Sequence, residues 1–391
     1  MTSRSDLHVL QIGKYYPPHI GGMETHLRTL CGELSKLLKV RALVAHNSRE
    51  TREDTVDGVE VTRLGTLMRL SGAPLCLDMP RAIKESEADI VHLHLPNPGA
   101  AIACLASGFQ GPIVLTWHSD IVRQRLLRNA FAPIERRLVK KACAIIASSP
   151  DYVAYSPVLY EHRTRCRVIP FGISAEKFHK SDPAAVRRIR ERFGGRVLLS
   201  IGRMVGYKGY RYLVRAMKKV DAKLLLIGEG PERSRLEADV KRLGIRDRVV
   251  FLGSVDDTSP YYHACDIFVL PSIGRNEAFG IVQLEAMASG KPVVNTHLRS
   301  GVPFVSVNGL TGITVPPADS HALARAINVL LDDPERRAAY GMEGAERVRR
   351  EFGLERMIAR TVQLYQQVVA NNRESSYIPA EPLLAGAGFG A

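Results

Sequence analysis

Short apolar runs alternate with amphipathic helical stretches along the chain, and this alternation limits the possible fold more than any other feature. In the first half the apolar runs lie at residues 8–12, 40–46, 59–64, 90–95, 113–117, 144–147 and 166–169. A second series of the same kind starts at residue 197. Strands that alternate with helices form a doubly wound, largely parallel sheet, and ligands bind outside the carboxyl ends of its strands. We therefore predict an α/β protein with two Rossmann-like domains.

The size and composition of the chain agree with two soluble domains. Its 391 residues exceed one ordinary domain and suit two of about 150–200 residues each. No apolar run approaches the roughly eighteen residues of a membrane span, and the first residues do not resemble a signal peptide. Six scattered cysteines form no CxxC pair, which favours free thiols over a zinc site or disulfides. We therefore expect a cytoplasmic protein.

The net charge of +14 indicates attraction to an anionic partner such as a nucleic acid, a membrane surface or a phosphorylated substrate. Simple solubility is the alternative explanation. The sequence has no helix-turn-helix, zinc pattern or aromatic-rich basic sheet, so we expect no nucleic-acid partner.

Residues 276–292, NEAFGIVQLEAMASGKP, carry two acidic residues around the start of a predicted helix. Glu277 belongs to the loop that leads into the helix, and Glu285 lies one to two turns inside it. Gly290 is typical of the left-handed residue that follows a helix. Free N–H groups near Gly280 favour a phosphate, and the two carboxylates could bind the hydroxyls of a nucleotide sugar. An amphipathic helix with two solvated acids is the alternative.

The segment EAFGIVQLEAMASGKPVV resembles the EX7E signature of family 4 retaining glycosyltransferases, which have the GT-B fold. The resemblance extends over almost the whole chain, to about residue 370. It implies two Rossmann-like domains facing each other across a cleft, with residues 1–172 on the acceptor side and residues 173–350 binding the nucleotide sugar. It further implies a crossover helix at residues 351–370 that returns to the first domain. We expect the small, Gly/Ala-rich tail at residues 371–391 to be disordered.

Further motifs of the second half support this resemblance. GRMVGYKG is similar to the family's G-R-x-x-x-x-K-G, which implies that Arg203 and Lys208 hold the donor diphosphate. GEGP is similar to the turn beside the nucleotide base. The catalytic positions that the resemblance implies are His118, Arg203, Lys208 and Glu277. The donor-binding positions that it implies are Gly21, Gly22, Gly202, Glu229, Gly230, Phe279, Gly280, Ile281 and Glu285.

The first half carries weaker signals. Gly21 and Gly22 lie between the first strand and the first helix, where a loop can cradle a phosphate, although a plain flexible turn would look the same. His118 closes a strand at the position of a family histidine near the sugar, and Asp120 is a candidate on the acceptor side. His92 and His94 share one face of a strand, but no third ligand follows at a sensible spacing. We therefore predict a structural role for this pair and no metal site.

A basic run extends from Arg123 to Lys141. Residues 121–141 contain seven Lys or Arg and one Glu, together with apolar residues at helical spacing. Such a helix can lie on an anionic bilayer, which would place the protein peripherally on the inner membrane face. A solvated basic face above a buried apolar stripe is the alternative.

The resemblance implies retaining transfer of a hexose, and it implies that protein cations rather than a metal stabilise the leaving group. The segment GVP at residues 301–303 is similar to a variant found in mannosyl- and rhamnosyltransferases of surface-polysaccharide assembly. We expect no cofactor, GDP-mannose as the favoured co-substrate, and a glycan or polyprenyl-diphosphate-linked acceptor. The alternatives are a UDP-sugar-dependent glucosyl- or N-acetylhexosaminyltransferase and a non-catalytic nucleotide-sugar-binding protein. A sugar-nucleotide 2-epimerase shares the fold but is disfavoured by the intact EX7E pattern.

Overall fold

The structure, a computed structural model, describes residues 6–19, 21–70, 72–120 and 125–374. Contacts divide the chain into two compact units. The first contains Met1–Ile169 and Met357–Ala391, and the second contains Pro170–Arg356. The sequence prediction of a tail from residue 371 is wrong at its start, because the last helix continues to Glu374. Residues 375–391 lie outside the described part of the chain.

The first unit contains the first ten strands and six helices, followed after the second unit by most of the last helix. The strands are β1 (His8–Ile12), β2 (Lys39–Ala45), β3 (Arg52–Val56), β4 (Val59–Leu64), β5 (Met68–Leu70), β6 (Ala73–Leu75), β7 (Ile90–Leu95), β8 (Ile113–Trp117), β9 (Ala144–Ala147) and β10 (Cys166–Val168). The helices are α1 (Gly22–Leu34), α2 (Met79–Lys84), α3 (Pro98–Ala106), α4 (Arg125–Lys141), α5 (Pro150–Tyr155), α6 (Pro157–Glu161) and α16 (Leu354–Glu374).

Eight of these strands form one sheet in the order β10-β9-β8-β7-β1-β2-β4-β3. All neighbours in it are parallel except β3 and β4. The chain runs outward from β1 through β2 and then returns to place β7 on the other side of β1, so the direction of winding switches between β1 and β7. Residues of β7 and β8 are buried on both faces, as expected of central parallel strands covered by helices.

The second unit contains a six-stranded parallel sheet. Its strands are β11 (Val197–Ile201), β12 (Lys223–Ile227), β13 (Val249–Gly253), β14 (Ile267–Val269), β15 (Val293–Thr296) and β16 (Gly312–Val315). Its helices are α7 (Ala175–His179), α8 (Pro183–Phe193), α9 (Tyr210–Ala216), α10 (Arg233–Leu243), α11 (Ser259–Ala264), α12 (Ile281–Ala288), α13 (Val302–Val305), α14 (Ser320–Asp332) and α15 (Pro334–Glu351).

The strand order of this sheet is β13-β12-β11-β14-β15-β16. The winding therefore switches between β11 and β14. Alternate residues of β11 contribute to two separate hydrophobic cores, with Leu198 in one and Leu199 in the other. This alternation follows from the two-residue period of a strand and shows that helices cover both faces of the sheet.

Most apolar runs predicted from the sequence are strands in the structure, within a residue or two at their ends. Asp266 lies just before β14, where it pairs with Arg190 and accepts a hydrogen bond from the Val197 N–H. The polar edge strand β3, REDTV, was not predicted, since it lacks an apolar run.

Close packing of α15 against the end of α12 provides a test of the fold. A Cβ atom on Gly341 would lie 2.1 Å from the carbonyl oxygen of Gly290, so we expect Gly341→Ala to force the two segments apart and destabilise the protein by about 1–3 kcal/mol. The same change at Gly32, in the last turn of α1, meets no atom within 4 Å and should be neutral or stabilise by up to about 1 kcal/mol through helix propensity. Chemical unfolding of both variants measures the difference. Equal stabilities would show that α15 does not pack this tightly.

Candidate functional site

The loops that follow β11 and β14 lie side by side at the winding switch of the second unit. The first loop carries Gly202 and Arg203 and continues through a single 3-10 turn, Gly206–Lys208. The two loops touch at Gly209, where φ is +70° and an added Cβ atom would lie 2.0 Å from the carbonyl oxygen of Pro271. Ligands of open parallel sheets bind at such a switch, outside the carboxyl ends of the strands. The second unit therefore has its candidate site here.

A buried ion pair joins these two loops. The Nζ atom of Lys208 lies 2.6 Å from Oε2 of Glu277, and their side chains are only 12% and 9% exposed. The Ser272 hydroxyl donates to the same carboxylate oxygen at 2.9 Å. Burial lowers the pKa of Lys208, but the adjacent carboxylate outweighs burial and the net pKa lies above its ordinary value. Lys208 is therefore a fixed cation at neutral pH and cannot act as a base.

The end of β11 packs directly against this cation. A Cβ atom on Gly202, whose φ is +146°, would lie 3.3 Å from Nζ of Lys208. The Tyr210 hydroxyl donates to the Gly202 carbonyl oxygen at 3.1 Å, and burial raises the pKa of Tyr210 to about 12. A larger residue at Gly202 would displace the ammonium group, which explains why glycine suits this strand end.

Three other predicted residues lie on neighbouring loops: Arg203 on the loop after β11, and Glu229 and Gly230 on the loop after β12. Arg203 is exposed, and among the described residues no carboxylate lies within ion-pair distance of its guanidinium group. The carboxylate of Glu229 forms an ion pair with Arg233 and is about half exposed. Gly230 packs against the backbone of Met204, where a Cβ atom would lie 2.4 Å from the carbonyl oxygen. The structure thus brings Gly202, Lys208 and Glu277 together more closely than Arg203 and Glu229.

At the start of α12, the backbone of Gly280 is left-handed and the Phe279 side chain is packed into the core. Gly280 precedes the helix with φ of +73°. The Phe279 ring is buried and meets Phe171 and Phe352 edge to face, with ring centroids 5.2 and 6.0 Å apart. Ile281 packs on the same core. Any contact of Phe279 with a ligand would therefore have to come from its main-chain atoms.

Glu285 lies in the middle of α12 and has a partner that the sequence did not suggest. The Tyr262 hydroxyl, from α11, donates to Oε2 of Glu285 at 2.7 Å. Burial raises the pKa of Glu285, and the hydrogen bond from Tyr262 opposes part of that rise. No sequence pattern marks Tyr262, because it meets Glu285 only when α11 packs near α12, whereas Ser272 lies five residues before Glu277 in the same loop.

In the first unit, the predicted residues lie near the carboxyl ends of β1, β7 and β8. Gly21 precedes α1 in an extended conformation, and open space lies beside Gly22. His118 follows β8 and is almost fully buried. Its Nε2 atom lies 2.9 Å from Nδ1 of His94. The structure also brings a third histidine, His26 of α1, so that ring nitrogens of the three lie within 4.8 Å of one another. The sequence expectation that no third potential ligand accompanies His94 is therefore wrong.

Asp120 holds the turn after β8. Its Oδ1 atom accepts hydrogen bonds from Nε1 of Trp117 at 2.9 Å and from the Ser156 hydroxyl at 2.7 Å. Its backbone N–H donates to the Tyr152 hydroxyl at 2.8 Å. These hydrogen bonds give Asp120 a structural role, in addition to the acceptor-side role predicted for it.

The predicted basic helix corresponds to α4, although Arg123 lies outside the described residues. Within residues 129–141 of α4, Arg136, Arg137, Lys140 and Lys141 are exposed. The apolar side is turned into the protein, since Phe131, Leu138 and Val139 are buried. These three apolar side chains are therefore not available for insertion into a bilayer. In the described part of the chain, no helix is both long and apolar enough to cross a membrane.

Two family profiles match the chain. The profile described as "Glycosyl transferases group 1" matches residues 184–347, and the profile described as "Glycosyl transferase 4-like domain" matches residues 21–172. The matches lie in the two halves of the chain that carry the predicted motifs.

Two curated proteins and one solved structure show the breadth of the similarity. The chain is 32% identical to the D-rhamnosyltransferase WbpZ of Pseudomonas aeruginosa, over 86% of this chain and 90% of that protein. It is 30% identical to the GDP-mannose-dependent α-(1-6)-phosphatidylinositol monomannoside mannosyltransferase of Mycolicibacterium smegmatis, over 86% and 92%. The sucrose-phosphate synthase of Thermosynechococcus elongatus superposes with a TM-score of 0.79 at 25% identity, covering 93% of this chain and 99% of that one. The predicted GT-B fold is thereby confirmed.

The raised pKa of Glu285 predicts a pH-dependent effect on stability. The folded protein binds the proton of the Glu285 carboxyl group more tightly than the unfolded chain does. Ionisation of Glu285 therefore lowers the free energy of unfolding as the pH rises above about 4.3, the ordinary pKa of a glutamate. We expect Glu285→Gln to be more stable than the parent at pH 7, with the difference vanishing below about pH 4. Chemical unfolding at both pH values measures it.

Tyr262→Phe is the contrasting variant, because it removes a hydrogen bond that lowers the pKa of Glu285. It should enlarge the stability loss between low and neutral pH. A Glu285→Gln variant with the same pH dependence as the parent would contradict the raised pKa of the Glu285 carboxyl group.

Proposed function

Because the chain belongs to the group 1 glycosyltransferases, we propose that it transfers mannose or a related hexose from a GDP-sugar to a glycan or lipid-linked acceptor of a cell-surface polysaccharide. The D-rhamnosyltransferase and the GDP-mannose-dependent relatives support this choice of sugar and base. The transfer proceeds with retention at the anomeric carbon. The donor binds to the second unit, and residues 1–172 supply the acceptor side.

The observation that carries this proposal is the buried pair of Lys208 and Glu277 at the winding switch. A nucleoside diphosphate gains negative charge as it leaves the sugar, and a permanently charged ammonium in a water-poor site stabilises the charge that develops on it. Arg203, exposed at the end of β11, is the second cation. These two side chains and the N–H groups at the start of α12 take the place of a divalent metal ion.

The carboxylates bind hydroxyl groups of the donor. In Glu277, Oε2 is occupied by Lys208 and Ser272, which leaves Oε1 to accept hydrogen bonds from hydroxyls of the transferred sugar. Glu285 binds the ribose, and its bond from Tyr262 fixes the direction of the carboxylate. Glu229 and Gly230 lie beside the base. In the first unit, His118 contacts a hydroxyl of the substrate and the loop at Gly21 and Gly22 approaches a phosphate.

In the proposed reaction, the bond between the anomeric carbon and the phosphate oxygen breaks while the acceptor hydroxyl oxygen bonds to the same face of that carbon. The acceptor proton passes to the departing phosphate oxygen, so no carboxylate has to serve as base. In this proposal Glu277 is not a base, since Oε2 is paired with Lys208 and Oε1 is assigned to the sugar hydroxyls. The positive charge of Lys208 instead makes the diphosphate a better leaving group.

We expect GDP-mannose to be turned over and Lys208→Ala to reduce kcat by about 10²-fold or more, the scale of losing one preorganised electrostatic contact. The reaction is measured by release of GDP from labelled GDP-mannose with a lipid-linked glycan acceptor. Thermal shifts with GDP and UDP report the base preference, and we expect the larger shift with GDP.

Lys218→Ala is the matched control, since Lys218 is exposed and lies just after α9, the helix that follows Lys208. It should leave kcat unchanged. Unchanged turnover in Lys208→Ala would place the diphosphate elsewhere. A larger thermal shift with UDP would show the alternative donor class, and tight GDP binding without transfer would show a nucleotide-sugar-binding protein.

We further propose that α4 attracts the protein to an anionic membrane. Its exposed Arg136, Arg137 and Lys140 each contribute about 1 kcal/mol near such a surface, whereas its apolar Phe131, Leu138 and Val139 are packed inward. The attraction is therefore electrostatic and does not involve insertion.

Vesicles rich in phosphatidylglycerol should retain the protein at low salt and release it at high salt, because salt screens exposed charges. Replacing Arg136, Arg137 and Lys140 together by Ala should abolish retention in a sedimentation assay. The matched control removes three exposed arginines of α8, Arg187, Arg188 and Arg192, and should retain binding. Equal loss in both triple variants would show that net charge, and not α4, is responsible.

A further inference from the structure

Four buried histidines gather in the first unit, and a glycosyl transfer uses at most one of them directly. His26, His92, His94 and His118 are at most 8% exposed. Burial lowers the pKa of each, to about 4 for His26 and about 3 for His92. All four are therefore neutral at physiological pH. A neutral imidazole has one N–H donor and one lone-pair acceptor, so its hydrogen bonds determine which nitrogen carries the proton.

One end of a continuous hydrogen-bond chain lies at Thr116 and Tyr365. The register of β1 and β7 places Gln11 beside His92. The Gln11 Nε2 amide donates to the Tyr365 hydroxyl at 2.8 Å, so the hydroxyl hydrogen of Tyr365 is left for Nδ1 of His92 at 2.5 Å. His92 then carries its proton on Nε2 and donates to the Thr116 hydroxyl at 2.7 Å. Both nitrogens of His92 are used within this chain.

The other end of the chain leads to His118. The Oε1 atom of Gln11 lies 3.0 Å from Nε2 of His94 and can only accept, so His94 carries its proton on Nε2. Its Nδ1 atom is therefore an acceptor. It lies 2.9 Å from Nε2 of His118, which must donate. The direction of these bonds follows from the orientation of the Gln11 amide, which has Nε2 towards Tyr365 and Oε1 towards His94.

The distance between the ring nitrogens of His94 and His118 distinguishes a hydrogen bond from a metal centre. Together with His26 they offer three nitrogen donors within 4.8 Å, a grouping that could suit zinc. Two nitrogens bound to one tetrahedral zinc at about 2.0–2.1 Å would lie roughly 3.3 Å apart. The observed 2.9 Å is instead the usual length of a hydrogen bond donated by an N–H group. The geometry favours a hydrogen bond between the two imidazoles over a metal ion bound by both.

We propose that Gln11, His94 and Tyr365 are positioning residues that hold His118 as the tautomer with its proton on Nε2. In that tautomer Nδ1 is an acceptor, and any hydroxyl that meets it must donate. The role of the tautomer in catalysis rests on the proposed function of His118, whereas the tautomer itself does not. The hydrogen-bond chain includes Tyr365 on α16, so the last helix of the protein helps to fix the tautomer of His118 after β8.

Long-range ¹H–¹⁵N correlation spectra of protein labelled at histidine test the tautomer directly, with His118→Gln assigning the resonance. We expect the native His118 to show a protonated Nε2 and an unprotonated Nδ1. Gln11→Leu should allow both tautomers, because His94 loses the acceptor that orients it. Gln11→Glu should restore the native spectrum, since its carboxylate also accepts from Nε2 of His94.

Tyr365→Phe provides a second test that retains both the volume and the amide of Gln11. It should also mix the tautomers of His118, whereas Tyr155→Phe, a change at a partly exposed tyrosine of α5, should leave them unchanged. In the GDP-mannose assay we expect Gln11→Leu to lower kcat about tenfold or more with little change in KM, and Gln11→Glu to recover it. Partners that orient metal-bound histidines have effects of this scale.

Three results would overturn the proposal: a native His118 with its proton on Nδ1, a tautomer that Gln11→Leu does not change, or stoichiometric Zn²⁺ binding that requires His26, His94 and His118. Mixed tautomers in Gln11→Leu with undiminished kcat would instead support the hydrogen-bond chain and remove His118 from the proposed mechanism. The spectrum and the assay therefore separate a failure of this inference from a failure of the function.

Discussion

The ion pair of Lys208 and Glu277 is the interaction on which the candidate site of the second unit depends. Two charges at 9–12% exposure are stable only when each compensates the other and the remaining polar atoms are hydrogen-bonded. Ser272 supplies one of those bonds. Buried pairs contribute little to net stability compared with apolar residues, and removal of one partner leaves an uncompensated charge. A fold that nevertheless holds this pair at a winding switch points to a functional reason for it.

The two sheets present different chemistry at equivalent places. In the second unit, the loops after β11 and β14 hold a permanent cation and a carboxylate, which suits a diphosphate and the hydroxyls beside it. In the first unit, the strand ends around β7 and β8 hold neutral imidazoles. Neutral groups bind hydroxyls without competing for the charge of the leaving group. The proposed function assigns the donor to the unit with the fixed cation and the acceptor to the other unit.

The sequence predicted most of what depends on local patterns and little of what depends on distant contacts. Apolar runs identified the buried strands, whereas β3 was missed because its side chains are polar and exposed. Resemblance to a family identified Lys208 and Glu277 separately, but their direct contact joins residues far apart in the chain. Tyr262 was missed for the same reason, since only the packing of α11 against α12 brings its hydroxyl to Glu285.

The histidines show this limit most clearly. Two residues apart on β7, His92 and His94 look equivalent in the sequence, yet one has both nitrogens engaged by Tyr365 and Thr116 and the other connects Gln11 to His118. The difference arises because their partners come from β1, β8 and α16, which no spacing rule relates. Burial alone would leave each imidazole neutral but free to choose its tautomer. The added constraint comes from one amide, which presents its donor to Tyr365 and its acceptor to His94 and so gives the chain its direction.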